Sequence, residues 1–474
     1  MLGTAGLLTL VTLLGLLSGL AREWLLVDAW GIGGRTDGFL VASFLSEAVR
    51  TMLAGGLLSS TAMALWQQRQ GEDRARWLGA MTFGLGAFAL LAAVLLAIGA
   101  PWLVRMVGPG LQAHWLPSAS KTLAVMAWGV PAMILQALWA IVLQAQGRFL
   151  LSGLSSLVYN LPAVLYLWWQ RQQADEVTLA WAFVLGAACT ALMMLPSAVS
   201  QGLRLKRLRW DGGMQRELTT RLVHVFGGAA TGQAVMLLER IVASYLGDGA
   251  VTVLNLARKL ANLPLVALMS VNQVLLGLMS KGSVHERLAL LRQGLALNTV
   301  ITTPAAIGML LSAQAVATLL FPRVRGEVGL LGPLLGWYAV ALILAGWGTL
   351  LARYNQSAGD TRLPFICEMS GNAMQAMALP LLAWIWGAQG IAMALLLGVL
   401  VNCAMLMHLN RLWTRVRLPS MLIAGGLPLA LSAQWLLPRW PDDAVWRLAA
   451  STLAGVVCLG MLIAWLKPWK AEAP

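Results

Sequence analysis

Apolar runs of about twenty residues recur along this chain from Leu2 to Leu466, and the longest polar stretch between them, near Gly202 to Arg221, is itself only about twenty residues. Each run is long enough to cross a hydrocarbon layer of roughly 30 Å as a helix. Inside such a layer only helices and closed barrels satisfy their own backbone hydrogen bonds. The chain therefore reads as an all-α polytopic membrane protein. Composition agrees, since 59% of its 474 residues are hydrophobic and 11% charged, where a soluble domain carries about a quarter. A soluble nucleotide-binding or catalytic domain needs roughly 50 residues or more, so none fits between the runs. No glycine-rich Lys-Ser/Thr phosphate loop is present. A water-soluble enzyme is excluded, and ATP hydrolysis by this chain is not expected.

Segmentation by hydropathy gives about fourteen spans, centred near residues 14, 52, 90, 133, 158, 188, 232, 265, 304, 340, 375, 400, 428 and 456. An even number places both termini on one side. Short loops on that side hold about 19 Arg and Lys, among them Arg69, Arg74, Arg76, Arg204, Lys206, Arg207, Arg209 and Arg216, against about 6 to 8 on the other. The positive-inside rule then puts both termini in the cytoplasm. The net charge of +14 is thereby read as topology instead of a nucleic-acid stripe. The run from Met1 to Leu20 lacks a basic leader and continues into Arg22, so it is expected to be a retained span. Tryptophans at span ends, such as Trp66, Trp102, Trp169, Trp386 and Trp440, read as interfacial anchors. Cys189, Cys367, Cys403 and Cys458 lie inside apolar spans without CxxC spacing, and the four His are scattered, so no disulfide, metal site or cofactor is expected.

The chain also repeats itself loosely. Ala21-Arg22-Glu23-Trp24 through Gly31 and on to Phe39-Leu-Val-Ala42 recurs about 217 residues later as Leu238-Glu239-Arg240-Ile241 through Gly247 to Leu254-Asn-Leu-Ala257. Two pseudo-symmetric six-helix lobes follow: residues 1–203 with spans 1 to 6 and 218–412 with spans 7 to 12. A basic cytoplasmic loop, 204–217, links them, and 413–474 adds spans 13 and 14. Such a repeat is the usual sequence sign of a two-lobed transporter.

An ionisable side chain in mid-span costs about 2.5 to 3.5 kcal/mol on insertion scales, so such groups should face a water-filled cavity or each other. They cluster in four spans. Span 1 ends in Arg22 and Glu23, span 2 carries Asp37, Glu47 and Arg50, span 7 carries Arg221, Glu239 and Arg240, and span 8 carries Arg258 and Lys259. A cavity lined by these, with Glu23, Asp37, Glu47 and Arg258 on its wall and cations in excess, suits an anionic head group such as a phosphate or diphosphate. The competing reading is local pairing, because Glu47 and Arg50 share a helical face at i, i+3. Arg22 should meet the adjacent Glu23 only poorly, and at a span end it can snorkel at little cost. Arg258 and Lys259 project about 100° apart, so at most one points straight into a cavity. Gly55-Gly56, Gly227-Gly228 and Pro264 mark places where these helices bend or pack closely. A second polar set, Glu239, Glu368, Asn372 and Asn402 with Gln375, suits either Na+ or proton coupling or plain interhelical hydrogen bonding.

These residues resemble a known family. Gly19-Leu-Ala-Arg22-Glu23, then Gly31-Ile-Gly-Gly-Arg-Thr36-Asp37-Gly-Phe39-Leu-Val-Ala42, then Val49-Arg50 and Ala54-Gly-Gly56-Leu-Leu-Ser-Ser60 are similar to the N-terminal signature of the MurJ/MviN flippases. Leu238-Glu239-Arg240 through Gly247 and Leu254-Asn255-Leu-Ala257-Arg-Lys259 through Pro264 resemble that family's span 7 to 8 region, and Pro109-Gly110 and Gly359-Asp360-Thr361 also fit. The family belongs to the superfamily of multidrug and polysaccharide-lipid exporters, and its members carry two spans beyond the twelve of their drug-exporting relatives.

The resemblance implies a flippase, not an enzyme, that carries an undecaprenyl-diphosphate-linked saccharide, lipid II in the best-known members, from the cytoplasmic to the periplasmic leaflet of a bacterial inner membrane. It implies alternating access between two lobes and a groove for the lipid tail at spans 13 and 14. Arg22, Arg50 and Lys259 fall at or beside family positions whose cations meet the diphosphate, and Asp37 falls on the family's acid after the first span. Leu16, Thr51, Gly55 and Asn262 stand where the family often carries charges. That leaves open a flippase for another polyprenyl-linked saccharide, such as an exopolysaccharide or O-antigen unit. A drug or cation antiporter would want acids in the cavity, where this chain has Arg and Lys in excess. A membrane enzyme would need an acidic cluster, and Asp175-Glu176 and Asp442-Asp443 sit in turns without His partners. A non-transporting scaffold for envelope-synthesis proteins is a third alternative. The driving force is open between Na+, H+ and membrane potential.

Overall fold

The structure is a computed structural model and describes residues 2–52, 58–146, 148–320, 331–416, 418–441 and 443–466. Among these residues every regular element is helical. The chain runs α1 (Leu2–Trp30), α2 (Gly34–Met52), α3 (Leu58–Gln67), α4 (Gly71–Val107), α5 (Leu116–Met126), α6 (Val130–Ala145), α7 (Phe149–Gln170), α8 (Glu176–Ser200) and α9 (Gly212–Ser244). It continues through α10 (Ala250–Met279), α11 (Val284–Leu320), α12 (Leu331–Ser357), α13 (Arg362–Trp386), α14 (Ala388–Leu409), α15 (Leu418–Leu431) and α16 (Ala444–Leu466). A 3-10 turn over Ala127–Gly129 joins α5 to α6, and α2 and α3 share one apolar run, so the described helices form about fourteen membrane-length segments. Among the described residues, eight helical spans, from Gly71–Val107 to Ala444–Leu466, are long and apolar enough to cross a membrane by length and composition.

The helices group into two compact units, one ending at Thr252 and one beginning at Val253. In the first, α1 lies along α7, α7 along α8, and α6 against both α4 and α8. Its core is aromatic and close-packed around Trp77, Leu78, Met81, Leu138 and Ile141, each at most 1% exposed. In the second, α11 packs on α12 and α16, and α13 pairs with α14, around Leu291, Leu311, Leu350 and Leu406, none of them exposed. Ile98 and Trp102 on α4, Trp169 on α7 and Trp384 on α13 are instead 68–84% exposed, as apolar side chains facing lipid should be. One expected anchor is corrected: Trp66 is 2% exposed and packs 6.1 Å from Trp77, because α3 turns it inward to the core.

The acids in the turns cap helices. Asp175 accepts from the backbone N–H of Thr178 at 2.9 Å at the start of α8, and Asp443 accepts from Val445 and Trp446 at the start of α16. Asp442 lies outside the described residues. Glu176 pairs with Arg35, which also donates to Ala174 O at 3.0 Å, and Trp30 Nε1 donates to the same carbonyl at 2.9 Å. The α7–α8 turn is thereby clamped onto the end of α1 and the start of α2. The basic segment after α8 is also tied down, with Arg207 donating to Gly202 O and Glu72 and Asp211 capping α9 through Met214 N.

Helix α8 meets α7 at a glycine. A Cβ on Gly186 would sit 2.1 Å from Tyr159 O, inside the backbone of the neighbouring helix. Gly186→Ala is therefore expected to push α8 off α7 and cost about 1–3 kcal/mol, read as a lower melting temperature of the detergent-solubilised protein. The hydrogen bond from Thr178 N holds the Asp175 carboxyl below its ordinary pKa. Its contribution is complete above the unfolded carboxylate range near pH 3.9 and is lost as pH falls through the lower folded value. Asp175→Ala should cost about 0.5–2 kcal/mol, measured by the same melt at neutral pH, and the gap to the parent should narrow in strong acid.

Candidate functional site

Arg22 lies well inside α1, which runs on to Trp30, so the expectation that it sits at a span end and snorkels outward is corrected. It is 7% exposed, and a buried guanidinium must find acceptors for its fork of donors. Nη1 donates to Asn160 Oδ1 at 2.9 Å, and Nη2 donates to Glu23 Oε1 at 2.7 Å while lying 3.1 Å from Glu47 Oε1. Its Cζ stands 4.7 Å over the Phe183 ring. The contact with Glu23 overturns the expectation from adjacent positions. The long guanidinium arm swings back to a carboxylate that is itself 2% exposed, so both charges are largely withdrawn from water.

The partners are positioned from three other helices. Asn160 on α7 is oriented by its own donations, from Nδ2 to Ser18 Oγ at 3.1 Å and to Ser156 O at 2.8 Å, which leaves Oδ1 facing Arg22. Phe183 on α8 is wedged between Phe39 and Tyr159, with ring centroids 5.8 Å away on each side. Glu47 comes from α2. One turn on, Arg50 makes an aromatic contact: its Cζ stacks 4.8 Å over the Tyr159 ring, and its Nε is buried without a hydrogen-bond partner among the described residues. Leu26, Phe39, Leu40, Leu167 and Phe183 line a narrow, largely apolar crevice together with Ser43, Arg22 and Glu23. Two guanidiniums, two carboxylates and an aromatic floor therefore meet beside an apolar crevice within the first unit.

Asp37, in the first turn of α2, is 1% exposed. Its carboxylate accepts from Gly249 N at 2.7 Å, Thr252 N at 2.8 Å and Thr252 Oγ1 at 2.5 Å. It thus caps the N-terminus of α10 from a helix more than two hundred residues earlier, where an anion is favoured by the free N–H groups and the helix dipole. The turn requires glycine at Gly249, whose φ is +88° and whose Cβ would sit 2.5 Å from Ile32 Cγ2. Beside it Ser244 Oγ accepts from Gly110 N at 3.0 Å and Gln112 donates to Asp248 at 2.6 Å.

The remaining candidates are spread over both units. Glu239 on α9 is 6% exposed, and Arg240 donates to Leu40 O at 3.4 Å with its Cζ 4.5 Å over Phe44, all in the first unit. Arg258 and Lys259 lie half-buried on α10 in the second. There too are exposed Glu368 and half-buried Asn372 of α13, and Asn402 of α14. Asn402 lies against Gly348 and Gly371, and its Oδ1 is buried without a hydrogen-bond partner among the described residues. Gly55-Gly56 lies outside the described residues, whereas Pro264 sits within the continuous α10 and Gly227-Gly228 within α9. Charge spacing does not point to Tyr159, Asn160 or Phe183. The one signal for them in the sequence is Asn160 itself, a polar residue in the apolar run Leu157-Val-Tyr-Asn-Leu-Pro162.

Comparison with known proteins places the chain. The profile described as lipid II flippase MurJ matches residues 26–425. The probable lipid II flippase MurJ of Rhizobium meliloti is 28% identical, over 94% of this chain and 89% of that protein. A solved structure of lipid II flippase MurJ in an inward closed conformation superposes with a TM-score of 0.85 at 16% identity, covering 97% of this chain and 98% of that one. An inward-facing multidrug resistance MATE family transporter shares the fold at a TM-score of 0.69 and 15% identity, over 88% and 98% of the two chains.

The cap on α10 gives a direct test. Asp37→Ala leaves two buried N–H groups without an acceptor, at about 1–3 kcal/mol each, whereas Asp37→Asn keeps an oxygen for one of them. The alanine variant should melt several degrees below the asparagine variant, and equal melting temperatures would show that these bonds do not carry the turn.

Proposed function

Because the chain belongs to the lipid II flippase MurJ family, with a match over residues 26–425, we propose that it moves lipid II, an undecaprenyl-diphosphate-linked saccharide, from the cytoplasmic to the periplasmic leaflet. The observation that carries this reading is the buried Arg22, on the wall of a narrow, largely apolar crevice, with Arg50 of the next helix stacked on the neighbouring Tyr159. Guanidinium forks match the paired oxygens of a diphosphate, and the aromatic floor keeps water away from the pair. No bond is made or broken, so the protein acts as a transporter. Lys259 of the second unit is proposed as a further substrate cation. The exposed apolar positions of α15 and α16, Leu427, Leu453, Val456 and Met461 at 52–66%, suit a groove for the polyprenyl tail.

The cycle is alternating access, in which one lobe opens to each side in turn. With no ATP-hydrolysing element in the chain, its drive is a gradient. A cationic site responds to membrane potential at roughly 2.3 kcal/mol per charge per 100 mV, and Glu239, Glu368, Asn372 and Asn402 are the candidate groups for Na+ or H+. The excess of basic residues in one set of loops supports an inner-membrane location with both termini in the cytoplasm. Thr51 and Leu16, where the family often carries charges, favour as a second reading another polyprenyl-diphosphate saccharide, which the same two arginines would hold.

The test is rescue of a bacterium depleted of its own lipid II flippase. The parent chain should restore growth and periplasmic lipid II, and Arg50→Ala should abolish rescue while remaining inserted in the membrane. Loss of one charge-assisted contact corresponds to about 1.5–3 kcal/mol, or a flipping rate about ten- to a hundredfold lower. A well-expressed parent that fails to rescue would overturn lipid II as the substrate. Rescue by Arg50→Ala equal to the parent would overturn the diphosphate role of Arg50.

A further inference from the structure

The guanidinium that the substrate diphosphate needs is already occupied. Arg22 spends Nη1 on Asn160 and Nη2 on Glu23 and Glu47. Of the five N–H donors, both planar forks, Nε with Nη2 and Nη1 with Nη2, use Nη2, whose two N–H groups face Glu23 and Glu47, so a diphosphate gripped bidentately competes with one of these carboxylates. The three differ in how firmly they are held. Asn160 is 4% exposed and fixed by Ser18 and Ser156, and Glu23 is 2% exposed and grows from the same helix as Arg22. Glu47 has a side chain 26% exposed, arrives from α2, and stands farthest from Nη2, at 3.1 Å. Of the two carboxylates it is the one that can withdraw.

We propose that Glu47 is an internal competitor for the substrate anion, a carboxylate that holds Arg22 when the site is empty and yields it when a diphosphate binds. The inference rests on Arg22 being a diphosphate-binding residue. Its electrostatics follow from the four charges of the cluster. Two guanidiniums, Arg22 and Arg50, stand with two carboxylates, Glu23 and Glu47, both of them on Arg22, so the empty cluster is neutral by count. A dianion arriving beside two carboxylates meets like charge in a poorly screened setting, and only withdrawal of one carboxylate relieves it. Binding is therefore an exchange of anions on one guanidinium. The exchange weakens ground-state affinity, and the same carboxylate, returning to Arg22, helps to release the head group on the far side. Glu47 thus sets how tightly any diphosphate is held, whatever sugar it carries.

The experiment is a titration of the detergent-purified full chain with farnesyl diphosphate, with farnesol as the uncharged control. Glu47→Gln keeps the shape and removes the charge, and it should tighten diphosphate binding by about 5- to 150-fold, the ordinary range of coupling between two ligands of one site, without changing farnesol binding. In an Arg22→Gln background the gain should vanish, since the competitor then has nothing to hold. Equal or weaker binding by Glu47→Gln, with Arg22→Gln still weakening it, would overturn the competitor while leaving Arg22 in its role. Unchanged binding by Arg22→Gln would overturn the reading of Arg22 itself. If Glu47→Gln does not yield folded protein, Glu47→Asp serves, because its shorter arm draws the carboxylate back from Nη2 and should also tighten binding. In vesicles the tighter Glu47→Gln variant should flip more slowly than the parent, and an equal or faster rate would overturn the assignment of release to Glu47.

Discussion

A guanidinium held away from water inside a membrane helix dictates the arrangement of the first unit. Left alone, such a charge is expensive, and removing one partner of a buried pair costs about 3–5 kcal/mol. Arg22 is accordingly surrounded by side chains from four helices: Glu23 of α1, Glu47 of α2, Asn160 of α7 and Phe183 of α8. Those helices have to lie where these atoms can reach, which means close packing. Gly186 permits it by letting α8 approach the Tyr159 carbonyl, and Arg35 and Trp30 fasten the ends of α1 and α2 to the α7–α8 turn. The charge that makes the site useful is also the one that makes its scaffold specific.

A second buried anion ties down the end of that unit. Asp37 spends its acceptor capacity on Gly249 and Thr252, and α9 packs on α2, α3 and α4, so α9 and the turn that follows it lie within the unit that ends at Thr252. The cap exploits the polarity of a helix end, which offers free N–H groups to any carboxylate that reaches it. Beside it, Gly110 and Gln112 bind Ser244 and Asp248, so the same turn is held at three points.

Much of this is legible in the amino-acid sequence. Run length and hydropathy place about fourteen helices, because a membrane leaves the chain no other regular form, and the clustering of Arg22, Glu47 and Arg50 on the first two spans marks the site. The partner of each charge cannot be read the same way. Glu47 is three residues from Arg50, which suggests a local pair, yet it reaches Arg22 on another helix while Arg50 stacks on Tyr159. Sequence spacing reports neighbours along one helix, and burial here selects partners across helices. The same limit hides Asn160 and Phe183, which carry no charge pattern, and it casts Asp37 as a wall residue when its three bonds make it a cap. Trp66 departs from its expected place for a related reason, since composition at a span end does not say which way a short helix turns its rings.

An internal counter-ion also explains how one site can serve both leaflets. A carrier gains nothing from holding its substrate tightly, because whatever is gained on entry must be returned on exit. Two bare arginines in a site screened from water would hold a diphosphate too well and would be costly to maintain when empty. A site that carries its own carboxylates lowers both costs, since the empty and loaded states each keep the guanidinium paired and differ only in which anion pairs it. The small free-energy difference left between those two states is one that a membrane potential or a single ion can tip. Substrate discrimination by charge would then reside in how readily Glu47 gives way, and discrimination among sugars must come from contacts elsewhere along the path.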